Sequence, residues 1–218
     1  MGEFVTVPAI ETENEDAVSA ATGRFFESCS WPARPVGNAE PVTEDDVLFF
    51  PPLNGWTVIL WPAYFTELAA VESISRDLGV LVSTVRIHDG DYWCHSLLRN
   101  GSTLDRFASV PDYFTDDSGE IARLKAAYAG RPAIVAEAAG RTPDQVAPYF
   151  VPVATQEMGK AFDDDEFGLD DPWVFTDFWR RPAPARGRVA GQGAGWGRPA
   201  VGPRCGRRVP GCWTFPND

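Results

Sequence analysis

Two dipeptides, Asp89-Gly90 and Asn100-Gly101, constrain what this chain can fold into more than any other feature. A two-residue type I′ hairpin turn needs positive φ at both central residues, and Asp-Gly and Asn-Gly supply it at least steric cost. Each pair separates segments rich in apolar and β-branched residues: Val80 to His88, Asp91 to Arg99 and Ser102 to Ser109. The spacing predicts an antiparallel meander of three strands whose register the two turns set. Side chains alternate across a strand, so its faces can be read directly. One face collects Leu81, Val85, Ile87, Tyr92, Cys94, Leu98 and Phe107 and reads as core.

The opposite face is the candidate site. Toward the Asp-Gly end it gathers Arg86, His88, Asp91, Trp93, His95 and Arg106, with Val82, Leu97 and Leu104 toward the other end. Both histidines of the chain fall here. A Trp between Arg residues is a platform for stacking and cation–π contact, and a like charge from Arg106 would disfavour protonation of His95. The face suits a ligand or a partner if open, and packing if later helices or the Trp173 to Trp179 segment cover it. His88 and Asp91 alone give two ligands, short of a catalytic zinc site. No Gly-x-Ser-x-Gly elbow, Walker loop or dinucleotide fingerprint is present. No catalytic residue, metal ligand set or cofactor is therefore expected, and the sequence leans against an enzyme.

Upstream, Phe4 to Ile10 reads as a strand and Glu13 to Ser28 as a helix. Trp31 to Val42 holds three prolines and reads as a loop. Val47 to Phe50 is a short strand stopped by Pro51 and Pro52, and Asn54-Gly55 turns the chain into a strand at Trp56 to Trp61. Leu68, Val71, Ile74 and Leu78 hold one helical face before Gly79. The fold class is α+β, with a ferredoxin-like β-α-β-β-α-β start extended by the meander. A helical segment follows: Glu120 to Ala129, Pro132 to Ala139, and a third helix from a Thr142 cap to about Phe150. The acids of Phe162 to Asp171 read as a solvated run, and Trp173 to Trp179 as an aromatic segment docking on the body.

Beyond residue 181 the composition changes. Residues 182–218 contain eight Gly and six Pro, a content that reads as disordered. Residues 180–218 carry eight Arg against one acid, so the quoted net charge of −12 divides into +7 there and −19 over residues 1–179. The expected organisation is an acidic domain over 1–181 and a Gly/Pro/Arg-rich tail over 182–218. The tail composition also fits a GC-rich coding sequence read out of frame. It lacks RGG repeats, and Cys205 and Cys212 match no metal or redox spacing. The body disfavours nucleic acid and anionic membrane, and its acidity favours a basic partner or serves simple solubility as a solvated surface. No apolar run is long enough to span a bilayer, no signal peptide opens the chain, and four scattered cysteines suggest a reduced, cytoplasmic setting.

The segment Asp91-x-Trp93, the Asn100-Gly101 turn, Asp105-Arg106-Phe107-Ala108-Ser109 and Pro111-x-Tyr113-Phe114 resembles uncharacterised bacterial proteins, including immunity-like families, that join such a meander to flanking helices. The likeness covers about a quarter of the chain and transfers no active-site residue. It implies small binding proteins, among which acidic immunity proteins often neutralise basic partners. The expected function is a non-enzymatic binding protein, immunity-like or regulatory, engaging a basic protein. The alternative is a small-molecule-binding or metal-dependent enzyme using the Arg86/Trp93/His95 face.

Overall fold

A computed structural model describes residues 3–31, 34–36, 43, 45–63, 65–154, 157–181 and 212–214. In chain order the elements are β1 (Val5–Ile10), α1 (Glu15–Ser28), β2 (Arg34–Val36), β3 (Asp46–Leu53), β4 (Trp56–Leu60), α2 (Leu68–Leu78), β5 (Leu81–His88), β6 (Tyr92–Arg99) and β7 (Ser102–Ala108). Then follow α3 (Ser118–Ala127), α4 (Pro132–Ala138), α5 (Pro143–Val146), a 3₁₀ turn (Ala147–Tyr149), α6 (Val174–Arg180) and β8 (Cys212–Thr214). The fold is α+β. The strands lie in the order β2-β8-β3-β4-β1-β5-β6-β7, and every pairing with a resolved register is antiparallel.

The described residues group into two compact units. One holds residues 4–86 and 96–103 with 212–214; the other holds Glu3, 87–95 and 104–181. In the first unit, α1 and α2 lie side by side, joined by an Arg24–Asp77 ion pair of 3.1 Å. Asn14 caps α1 by accepting from the Ala17 amide, satisfying one of the donors a helix start leaves open. Gly79 ends α2 in the left-handed conformation the periodic pattern anticipates. Phe25, Phe26, Val71 and Ile74 from these helices bury against Ile10, Val47, Phe49 and Ile59 from the strands. A rim of Phe26, Trp31, Trp61 and Phe65 rings closes one end, with centroids 4.9–6.1 Å apart.

Pro51 and Pro52 do not stop β3 as expected. The strand continues to Leu53, which pairs with Trp56, and the register shifts between Phe50 and Leu53. An irregularity of this kind absorbs residues that cannot donate to a ladder. Positive φ at Asn54 and Gly55 then turns the hairpin. Most of the expected tail lies outside the described residues. Cys212–Thr214 alone is described there, as a strand paired with both β2 and β3.

In the second unit, the residues after α3 run back along β7. Ala108 donates to the Tyr128 carbonyl and Gly130 to the Arg106 carbonyl, with a bridge between Phe107 and Ala129. Gly130 has φ +70°, and a Cβ there would stand 2.5 Å from the Phe150 ring. Only glycine fits both demands. Thr142 and Gln145 form a reciprocal capping box at α5. The expected third helix is shorter than its pattern suggests, giving way at Ala147–Tyr149 to a 3₁₀ turn around Pro148.

Candidate functional site

The first turn does what its sequence demands. Asp89 and Gly90 take φ +55° and +74°, and Asp91 donates back to the His88 carbonyl. Asn100 and Gly101 adopt φ +52° and +74°. Between that turn and the end of β7, however, the pairing slips. Turn-set register would put Ala108 opposite Trp93; instead the Ser109 amide donates to the Trp93 carbonyl and the Trp93 amide to Ser109 Oγ. A one-residue slip exchanges faces. Phe107 therefore packs on Trp93, with centroids 5.1 Å apart, rather than on the opposite face. Asp105 is buried and Arg106 is exposed. Arg106 does not join His95.

Nor is the face open at its centre. Trp93 and His95 are each 1% exposed. Phe150, behind the 3₁₀ turn, and Phe178, from α6, stand across both rings at 5.5–6.4 Å. The aromatic segment expected to dock on the body is α6, and this face is where it docks. Cys94, expected in the core, is only half-buried. Arg86 is half-buried and belongs to the other unit. Of the six candidate residues, the structure groups Trp93 with His95, and His88 with Asp91 at the turn. It separates Arg106 from both pairs.

Burial has an electrostatic consequence for His95. Loss of water, followed by the nearby Arg141 guanidinium, holds its pKa down to about 3, so the imidazole is neutral at any ordinary pH. The expected repelling charge was Arg106; the structure supplies Arg141 instead. Arg141 itself donates to the Phe178 and Trp179 carbonyls at 2.5 and 2.9 Å. Those carbonyls end α6, so the cation sits where the helix dipole favours it. Burial lowers the pKa of Arg141 to about 10.

The acid run holds the functional-looking group that pattern reading missed. Asp163, Asp164 and Glu166 are exposed, but Asp165 is buried. It accepts from the Tyr149 hydroxyl at 2.8 and 2.9 Å and from the Phe162 amide at 3.0 Å, and it pairs with Arg181. Arg181 also donates to the Tyr149 hydroxyl and to Asp164, and its guanidinium lies 4.2 Å from the Phe162 ring centroid. Asp177, also buried, accepts from the Glu166 and Phe167 amides at 2.8 Å and from Arg180 at 2.5 Å. Burial raises the pKa of Tyr149, the Arg181 guanidinium opposes the rise, and Asp165 adds to it. Every one of these groups is directed at another protein group. The arrangement is a clamp that ties residues 162–167 to α6.

At the Asp-Gly turn the surface differs. His88, Tyr92, Tyr113 and Phe114 form a ring cluster with centroids 4.7–6.3 Å apart. The Tyr113 hydroxyl donates to Asp91 at 2.5 Å, which raises its pKa. Asp89 and Asp91 are exposed beside it, Asp116 and Asp117 are exposed further along the chain, and Asp112 is held by Lys125 at 2.9 Å. Among the described residues, no group of three His, Cys, Asp or Glu side chains is placed to hold a metal ion, and no helix is long and apolar enough to cross a membrane. No protein-family model matches the chain, and no curated protein or solved structure is significantly similar to it.

Proposed function

We propose that this chain is a non-enzymatic binding protein, immunity-like or regulatory, that engages a basic protein partner in the cytoplasm. The observation that carries the reading is the fate of its cations. Residues 1–179 hold an excess of acids worth −19, and Arg24, Arg99, Arg123, Lys125 and Arg131 are each taken by a carboxylate of the chain itself. What reaches solvent is an acid excess that attracts a cationic surface and steers its approach. The burial of Trp93 and His95 further supports a role other than small-molecule chemistry on that face. The strand order β3-β4-β1-β5, with α1 and α2 as the crossovers, supports a ferredoxin-like start; this concerns architecture and assigns no activity.

The test is affinity purification of the full-length chain, with bound proteins eluted along a salt gradient. A basic partner that leaves as ionic strength rises from about 0.1 to 1 M supports the reading, because contacts between exposed charges fade as the Debye length shrinks from ~10 to ~3 Å. Stable association only with neutral or acidic proteins, indifferent to salt, refutes it.

A further inference from the structure

We infer that the ring cluster of His88, Tyr92, Tyr113 and Phe114, beside Asp89 and Asp91, is the surface on which an arginine-rich segment of a partner protein docks. The inference rests on the basic-partner reading above and adds a place and a side-chain chemistry to it.

Phe114 is 71% exposed and Tyr113 38%; with Val151 they are the exposed large apolar side chains among the described residues. Their positions are held, not loose. Phe114 stands edge-on to His88 at 4.9 Å and to Tyr113 at 5.0 Å. Tyr113 lies 4.7 Å from the buried Tyr92 ring and is pinned by its bond to Asp91. A phenyl ring kept in water gains nothing for folding, and adjacent exposed aromatics rimmed by polar groups mark interaction surfaces. Preorganised rings also spare a partner the entropy of ordering them.

The adjoining carboxylates select the occupant. Asp89 and Asp91 flank the rings across the hairpin turn. The neighbouring Asp112 is engaged by Lys125, and Asp117 accepts from the Glu120 amide to cap α3. Carboxylates beside ring faces repel phosphates and acidic peptides and attract cations. Arginine fits better than lysine: its planar guanidinium stacks on a ring while its N–H fork reaches a carboxylate.

The experiment measures binding of a fluorescent nona-arginine peptide to the full-length chain, beside its nona-citrulline counterpart, which keeps shape but lacks charge. Phe114→Ala, Phe114→Leu and Asp89→Asn are compared with the unaltered chain; both sites are exposed, and circular dichroism checks that each of the three variants is folded. Salt-sensitive binding of the arginine peptide is expected, weakened about fivefold by both Phe114 variants, the size of an exposed cation–π contact. Asp89→Asn should weaken it too, and citrulline should not compete. If the arginine peptide binds in a salt-sensitive way but the three variants bind equally well, the surface is overturned while the basic-partner reading stands. Equal binding of nona-citrulline, or dispersal of a chain dimer by Phe114→Ala, overturns it in favour of an apolar partner or a second copy. Absence of salt-sensitive binding overturns both.

Discussion

The buried histidine makes the most quantitative prediction. In an unfolded chain His95 titrates near 6.5, whereas in the fold it does so near 3, because protonation would place a charge among Phe150, Phe178 and Arg141. Between those values the unfolded state binds more protons than the native state. Stability therefore falls as pH falls through 6.5, and the loss is complete only near 3. At pH 5 the unfolded imidazole is almost fully protonated and the folded one almost fully neutral, a penalty of about 2 kcal/mol relative to pH 8. Every other ionisable group, the half-buried His88 included, is common to both proteins compared. Urea unfolding followed by tryptophan fluorescence at pH 8, 7, 6 and 5, on the unaltered chain and His95→Leu, isolates the contribution of His95. The leucine variant differs in absolute stability, but its pH slope should be shallower by the same ~2 kcal/mol across the range. Parallel curves would refute the claim that His95 is buried and neutral.

Three further outcomes follow from the same unit. Arg181→Ala leaves the buried Asp165 with only the more distant Arg180, 4.0 Å away, as a cation and should lower unfolding free energy by about 3 kcal/mol, the low end for a broken buried pair, against about 1–2 kcal/mol for Tyr149→Phe, which removes one donor and acceptor; urea titration ranks the two, and a reversed order would show that the ion pair is not the main restraint. Gly130→Ala forces a Cβ toward the Phe150 ring at positive φ and should cost about 2 kcal/mol or more, seen as a lower thermal midpoint. Asp177→Asn keeps size but weakens two amide contacts and the Arg180 pair, so hydrogen exchange at the Glu166 and Phe167 amides should quicken while that of β4 amides is unchanged.

What the sequence made legible was what short-range stereochemistry decides. Positive φ at Asp89, Gly90, Asn100 and Gly101, the Gly79 terminator and the Thr142 cap all follow from residues within a few positions of each other. The second hairpin shows where that reasoning ends. A two-residue turn sets the first rungs, but the one-residue slip before Ser109 answers to packing of Phe107 against Trp93 and Phe150, which no local pattern encodes. The six-residue grouping divides with it: counting from the turn puts Arg106 opposite His95, and counting does not see an irregularity in between. Asp165 was missed for a related reason. An acid among acids looks solvated, and only the approach of Tyr149 and Arg181, 16 residues to either side, makes it a buried partner. The cue available was composition: a Tyr and an Arg pair bracketing the run at nearly equal distance.

The position of Phe178 over Trp93 has a consequence for how the chain acquires its structure. The two rings are 85 residues apart, and contacts of such separation form late because loop closure must precede them. Until α6 arrives, Trp93, His95 and Phe150 present a nearly continuous aromatic surface on strands that are already paired by their turns. An exposed aromatic surface of that kind favours self-association. A chain clipped before Trp173 would lose the Phe178 ring that covers Trp93, His95 and Phe150 and is expected to associate with its copies more readily than the full-length chain.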